Sequence, residues 1–337
     1  MTAIDKTWLA SALHRLGSLW LTLALLLVFA AALLITDAGW LAPTTAMAVP
    51  FSLLVLNLVA AIIANPRFRR STDLLVFHLA LLALVLLIVL GRLTFLNGQV
   101  AIPVGGEFDG RLGSQQQGLW HQDTLDQVWF GNNGFEVSYD RRTLRNRTYN
   151  RVQWLDSQNR LQQGVIGDDR PLLLQGYRIY TSKHRGFALN LNWVPDGANR
   201  VDQSQLLLQS WPLFRFEQAQ QWSPPGSDLS LWLKLEFDDL MLDSDQGWRF
   251  EVPEQHRVVV RIGDQGKERV ELSSGNSLAL PGGRLTYVGA QPWMGYEFVA
   301  DQTLPWLGAA CAIAIGALAL FYWRRFAQRS WLERDDR

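Results

Sequence analysis

Leu74-Leu-Val-Phe-His-Leu-Ala-Leu-Leu-Ala-Leu-Val-Leu-Leu-Ile-Val-Leu-Gly-Arg-Leu-Thr-Phe-Leu96 contains only two ionisable side chains, His78 near its start and Arg92 near its end. At about 1.5 Å per residue, a helix of this length exceeds the ~30 Å hydrocarbon core of a bilayer. The run therefore predicts a membrane span. Three more runs have the same character: Leu16–Thr36 without charge, Ala46–Ala64 interrupted by Asn57, and Leu304–Trp323. Repetition of this length and polarity excludes ordinary buried helices.

Charges beside these runs predict an orientation. Lys6 and Arg15 precede the first, and Arg67, Arg69 and Arg70 crowd the link between the second and third. Arg324, Arg325, Arg329 and Arg334 follow the fourth, whereas Asp37–Thr45 has no Lys or Arg. By the positive-inside rule both termini and the Arg67–Arg70 link are cytoplasmic. Trp20, Trp40, Trp306 and Trp323 stand towards span ends, as interfacial aromatics do. The first run is too long for a signal-peptide core and is expected to stay as an anchor. A bacterial inner membrane fits this plan. Residues 1–96 then hold three spans (about 16–36, 46–64 and 74–96). Residues 97–302 form an extracytoplasmic or periplasmic domain, and 303–337 a closing span (about 304–323) with a basic tail.

This division explains an otherwise bland composition. The 337 residues carry 31 Lys+Arg and 31 Asp+Glu, 48% hydrophobic residues and a mean hydropathy of +0.01. Residues 97–302 alone have 20 Lys+Arg and 25 Asp+Glu, so neutrality is a cancellation between compartments. Disordered, collagenous and globally basic nucleic-acid-binding chains are excluded, and no nucleic-acid partner is expected. A single Cys excludes a disulfide framework, a Cys-x-x-Cys redox pair and a Cys-rich zinc site.

The outer segment reads as strands. Leu229, Leu231, Leu233, Leu235 and Phe237 alternate with polar residues and Trp232, and Leu189, Leu191 and Trp193 alternate with Asn190 and Asn192. Val258, Val260 and Ile262 continue the pattern, with Val270 and Leu272 beyond a turn at Gly263–Gly266. Pro225-Gly226 and Pro281-Gly282-Gly283 punctuate the runs. One-sided alternation predicts an antiparallel all-β, sandwich-like domain. Residues 110–133 lack a period and read as loop or short helix.

His78 is the residue most suggestive of chemistry. An ionisable group within a span is costly and usually functional. Two readings stand: a neutral imidazole hydrogen-bonded to a neighbouring span, or an axial ligand to haem iron. No other histidine lies inside a span, and His14 is at the same interface but outside the apolar core. A second ligand is then expected from a partner. Asn57 lies at a similar depth and is expected to hydrogen-bond the free ring nitrogen of His78. Arg92 is expected to snorkel. Cys311 reads as a small packing residue. Arg141, Arg142, Arg145, Arg147 and Arg151, and the acids Glu236, Asp238, Asp239, Asp243 and Asp245, read as solvated faces. His121, His184 and His256 read as surface histidines. Asp243–Gly247 lacks calcium-loop spacing, and no nucleophile–base motif is present.

The plan and several local stretches resemble the ResB-type cytochrome c biogenesis proteins of System II. Ser71-Thr-Asp-Leu-Leu-Val-Phe-His78, Gly91 and Asn97-Gly-Gln-Val-Ala-Ile-Pro-Val-Gly-Gly-Glu107 look like that family's third span and first outer strand. Gly176-Tyr-Arg-Ile-Tyr-Thr-Ser182 resembles its Gly-x-x-x-Tyr-x-Ser strand, and Tyr296–Asp301 with Arg324-Arg325 its C-terminal end. Two departures are visible: Asp301 is followed by Gln302-Thr303 rather than Pro-Gly, and the outer domain is compact.

The resemblance implies a division of labour. A CcsA-type membrane protein would be the partner, and together the two would carry haem b outward and help join it to apocytochrome c. The haem would be held transiently and shared with the partner. His78 would supply one axial ligand to the iron, and thiol reduction would fall to a thioredoxin-like protein. The chain would be a non-catalytic or co-catalytic subunit of a cytochrome c synthase (haem lyase) complex. The competing reading is a membrane-anchored scaffold or interaction protein without haem.

Overall fold

The computed structural model describes residues 3–140, 144–156, 158–208, 218–237, 248–262 and 269–327. The helices are α1 (Ala3–Leu16), α2 (Leu19–Asp37), α3 (Pro43–Ala64), α4 (Arg67–Arg70), α5 (Thr72–Thr94) and α6 (Leu304–Ala327). Of these, α2, α3, α5 and α6 are long and apolar enough to cross a membrane. Leu27, Leu34 and Ile315 are each at least 70% exposed. Such side chains have no protein to pack on, and in a bilayer they face lipid.

Hydropathy alone starts the first span at Leu16, but the structure starts it at Leu19, after a separate helix. The break is local: Ser18 takes extended backbone angles and its Oγ accepts from Leu21 N at 3.3 Å. This is an N-cap, satisfying a donor that the helix start leaves over. Because α1 mixes charged, polar and apolar residues, no apolar run announces it.

Within this unit α5 packs on α3 and α6, while α3 also packs on α1 and α2. Ala310, Ala314 and Ala317 are the buried residues of α6, four and three apart and so on one stripe. Small side chains let helix backbones approach in a membrane, where dispersion replaces the hydrophobic drive. Cys311, one position round the helix from Ala310, is exposed instead of packed. Gly91 of α5 is required where it stands: a Cβ there would lie 2.7 Å from Thr303 Oγ1. Thr303 in turn caps α6, its carbonyl accepting from Leu307 N while Asp301 Oδ1 accepts from Thr303 N and Oγ1 at 2.9 and 2.6 Å. The departure from Asp-Pro-Gly is thus a different helix start with its cap intact.

The chain divides into two compact units: residues 1–96, 116–122 and 300–337, and residues 97–115 and 123–299. The second is β-rich, its described strands lying in antiparallel sheets of seven, four, three and two strands. Two long strands, Tyr177–Pro195 and Gly283–Ala300, pair along most of their length at the centre of the seven-stranded sheet. Trp193, Tyr177, Tyr287, Tyr296, Phe187 and Phe298 are fully buried from these two strands alone. The Leu231–Phe237 strand buries Leu231, Leu233 and Leu235 as its alternation predicts. It pairs with His256–Ile262 and Ala219–Trp222.

Residues 110–133 depart from the expected loop or helix. They contain the strand Ser114–Gln117, the start of the strand Phe130–Glu136, and one 3-10 turn at Leu125–Gln127. Ser114–Gln117 is an edge strand exposed throughout. With neither face against a core, it has no hydrophobic alternation to read. Gly176 and Gln175, both at positive φ (84° and 50°), make the two-residue hairpin between Leu174 and Tyr177. Two positive φ values in such a loop match the twist of the flanking strands, which favours glycine. Arg141, Arg142, Asp238, Asp239, Asp243, Asp245, the Gly263–Gly266 turn, Arg329 and Arg334 lie outside the described residues.

Candidate functional site

A cavity of about 490 Å³ opens among the helices of the membrane-spanning unit, within the ~300–1,000 Å³ of cofactor sites. Its polar lining comes from His14, Thr22, Asn57, Asn65 and His78, and the remainder is apolar apart from Gly17. His78 stands six residues after the first residue of α5, about 9 Å along the axis. Its ring is packed against Phe68, with centroids 4.3 Å apart, and meets Phe77 edge-on at 5.2 Å.

The hydrogen bond of His78 sets its chemistry. Nδ1 lies 2.8 Å from Leu74 O, one turn back on the same helix. A carbonyl oxygen only accepts, so Nδ1 carries the proton and donates. In the neutral ring Nε2 is then the nitrogen with the lone pair. Backbone carbonyls orient metal-binding imidazoles in this way.

Asn57, only 4% exposed, does not take the role expected of it. Its Nδ2 donates to Leu16 O at 2.6 Å and to Ser18 O at 3.3 Å, and its Oδ1 accepts from Thr22 Oγ1 at 2.7 Å. The expected bond to His78 is replaced by a clamp on the α1–α2 corner. Ser18 O also accepts from Thr22 N at 3.2 Å, whereas the break at Gly17-Ser18 leaves Leu16 O to the buried amide. Gly17 lets that corner sit close: a Cβ there would lie 2.6 Å from Ala61 Cα of α3. His78 and Asn57 share one cavity without sharing a bond.

The other candidates resolve into structure. Arg92 lies over the Phe95 ring at 5.5 Å. Arg145, Arg147 and Arg151 pair with Asp168, Asp169 and Glu136 at 3.0, 3.4 and 3.2 Å. His121 donates from Nδ1 to Thr94 O at 2.9 Å, and His256 from Nδ1 to Pro253 O at 2.6 Å. His121 belongs to a segment that closes the end of α5, where Trp120 N and Gly118 N donate to Leu93 O and Phe95 O. Gly118 sits so close to Leu93 O that no side chain fits.

Sequence reading passed over Asn132 and Asn150, both fully buried in the β-rich unit. Asn132 Nδ2 donates to Ile102 O at 2.9 Å, Asn150 Nδ2 to Asn132 Oδ1 at 2.9 Å, and Tyr296 Oη to Asn150 Oδ1 at 2.9 Å. Burial drives the Tyr296 phenol far above its ordinary pKa, which keeps it a donor. The chain of bonds joins the strand Leu96–Pro103 to Tyr296, so two stretches that carry the family resemblance meet through buried amides. A pair of asparagines far apart in sequence gives no periodic signal.

Residues 61–209 match the model of the ResB-like family. Over this stretch the chain is similar to the ResB-like family. The matched stretch includes His78, the Asn97–Glu107 strand and turn, and Gly176–Ser182. The match supports involvement in cytochrome c biogenesis, and the four helices long and apolar enough to cross a membrane suit a membrane protein. No curated protein matches it.

Proposed function

We propose that this ResB-like chain, with a CcsA-type partner, holds haem in the membrane and helps export it for attachment to apocytochrome c. The observation that carries the reading is His78, whose Nδ1 bonds Leu74 O and so turns its other nitrogen, Nε2, into the lone-pair side of the neutral ring, in a cavity of cofactor size. These residues fit the group. Haem supplies the iron and its redox chemistry; the chain supplies an oriented imidazole and an apolar wall of Leu54, Leu58, Leu81 and Val85 that favours the macrocycle. Haem b would be held transiently and passed on. Positive-inside charges support cytoplasmic termini and a periplasmic β-rich region in a bacterial inner membrane. With one Cys and no Cys-x-x-Cys, thiol reduction falls to a separate thioredoxin-like protein.

The test is spectroscopic. The chain is purified with and without its CcsA-type partner, and the Soret band is recorded for wild type and His78→Ala. The expected result is a Soret band in the complex that weakens or shifts in the variant. A complex without haem, or one whose spectrum ignores His78→Ala, overturns the reading and favours an anchored scaffold.

A further inference from the structure

Gln116–Gln122 begins 22 residues after Thr94, the last residue of α5, yet it belongs to the membrane-spanning unit and not to the β-rich one. Its backbone explains why. A helix leaves its last four carbonyls without partners of its own, and hydrocarbon supplies none. Gly118 N donates to Phe95 O at 2.9 Å, Trp120 N to Leu93 O at 2.7 Å, and His121 Nδ1 to Thr94 O at 2.9 Å. Consecutive carbonyls at the end of α5 are thereby taken by this one segment. Gly118 carries no side chain because the Leu93 carbonyl occupies the space of a Cβ. The segment also turns on itself, His121 N donating to Gly118 O at 3.2 Å.

What this cap presents is apolar. Leu119 is 86% exposed and Trp120 63% exposed, two large side chains with little protein on them. Gln116–Gln122 holds no Lys, Arg, Asp or Glu. It adjoins a surface of the same character: Leu90 near the end of α5, and Leu304 and Trp306 in the first turn of α6, are exposed as well. The close approach of Gly91 to Thr303 sets these two helix ends side by side. Satisfied backbone donors and the absence of charge remove the two costs that keep a loop out of a membrane boundary.

We propose that Leu119-Trp120 is a membrane-seated anchor, its two side chains entering the boundary between lipid headgroups and acyl chains where α5 stops and α6 begins. Tryptophan suits that depth because its ring is apolar while its indole N–H keeps a polar partner. The occupant of this surface is the bilayer itself, continuous with the lipid around the spans. Apolar burial holds the seat, so it does not depend on anionic lipid. The chain then has a contact with the membrane besides its four spans, one that no hydropathy window reveals because two apolar residues are too short a run.

Cys311 is the single cysteine, so Cys311→Ser gives a background in which Leu119→Cys is labelled with a nitroxide. The full chain, without partner, is placed in nanodiscs of phosphatidylcholine alone or mixed with phosphatidylglycerol. Power-saturation electron paramagnetic resonance compares collisions with oxygen, which concentrates in lipid, against those with a water-soluble nickel chelate. Ile315→Cys is the lipid-facing reference, and a nitroxide dissolved in water is the aqueous one. The label at position 119 is expected to favour oxygen, less deeply than at 315 and equally in both kinds of disc. Trp120→Cys gives an independent second site with the same expectation, and melting equal to wild type shows that the fold is intact. Collisions with the nickel chelate at the aqueous level overturn the proposal. Shielding from both reagents marks protein cover and overturns it too, as does lipid contact that needs phosphatidylglycerol. Water exposure that turns to shielding when a CcsA-type partner is added overturns it by giving the surface to that protein.

Discussion

Arg324, in the last turns of α6, places Nη1 3.1 and 2.9 Å from the two carboxylate oxygens of Asp73 in the first turn of α5. The bond joins residues 251 positions apart and ties the ends of two adjacent spans. Asp73 also stands where a helix N-terminus favours negative charge. Asp73 is mostly buried but Arg324 is 64% exposed, so solvent screens the pair. Single changes to Ala and their double combination, followed by thermal unfolding in nanodiscs, are expected to give a coupling of about 0.2–1 kcal/mol that shrinks with added salt.

Asn57→Leu removes a buried amide that serves two carbonyls and one hydroxyl. Ser18 O and the Thr22 hydroxyl keep their bonds to each other, so leaving Leu16 O unpaired is expected to cost about 1–3 kcal/mol. Thermal unfolding and hydrogen exchange around Leu19–Thr22 report it. Because no bond runs from Asn57 to His78, haem that remains bound is expected to keep its band positions.

Tyr296→Phe removes one donor from Asn150 within the buried network and is expected to cost about 1–2 kcal/mol. Asn150→Leu severs the chain of bonds at its middle, leaving Asn132 and Tyr296 without their partner, and is expected to cost more. Urea titration followed by tryptophan fluorescence separates the two. Equal stability in wild type and Asn150→Leu contradicts the account.

Gly17→Ala drives a methyl group into the α3 backbone at Ala61. Backbone cannot rotate away as a side chain can, so a loss of about 1–3 kcal/mol is expected. The same measurement on Gly316→Ala, where a Cβ meets nothing, is the control and is expected to show no loss.

Glu236 accounts for a pH dependence in the β-rich unit. Its hydrogen bond with Lys234 at 3.0 Å, joined by Arg269 at 2.8 Å and the more distant Arg257, holds its carboxyl below the ordinary 4.5. A carboxyl with a lowered pKa in the folded state adds stability above its unfolded pKa and loses it as pH falls through the folded one. Glu236→Gln is therefore expected to melt below wild type at pH 7, with the gap closing as pH falls below 4.5. Melting curves of the whole chain from pH 7 to 3 check it, and a gap that widens on acidification refutes it.

The amino-acid sequence by itself determined the four spans, the antiparallel character of the β-rich unit and the prominence of His78. Each rests on a local quantity. Hydropathy adds up along a window, alternation follows from a two-residue repeat, and one ionisable group stands out in an apolar run. Ser114–Gln117 was hidden because an exposed edge strand carries no alternation, and α1 because it carries no apolar run. Asn57 was legible as a buried polar group but not by its partners. Which acceptor an amide meets depends on where the chain breaks at Gly17-Ser18 and on the rotation of α3. The same holds for Asn132, Asn150 and Tyr296, and for the cavity that His14 shares with His78. Hydrogen bonds need donor and acceptor within about 3 Å, and a shared cavity needs its walls packed together. Only the packing of distant segments sets that distance, so the tertiary structure alone decided them.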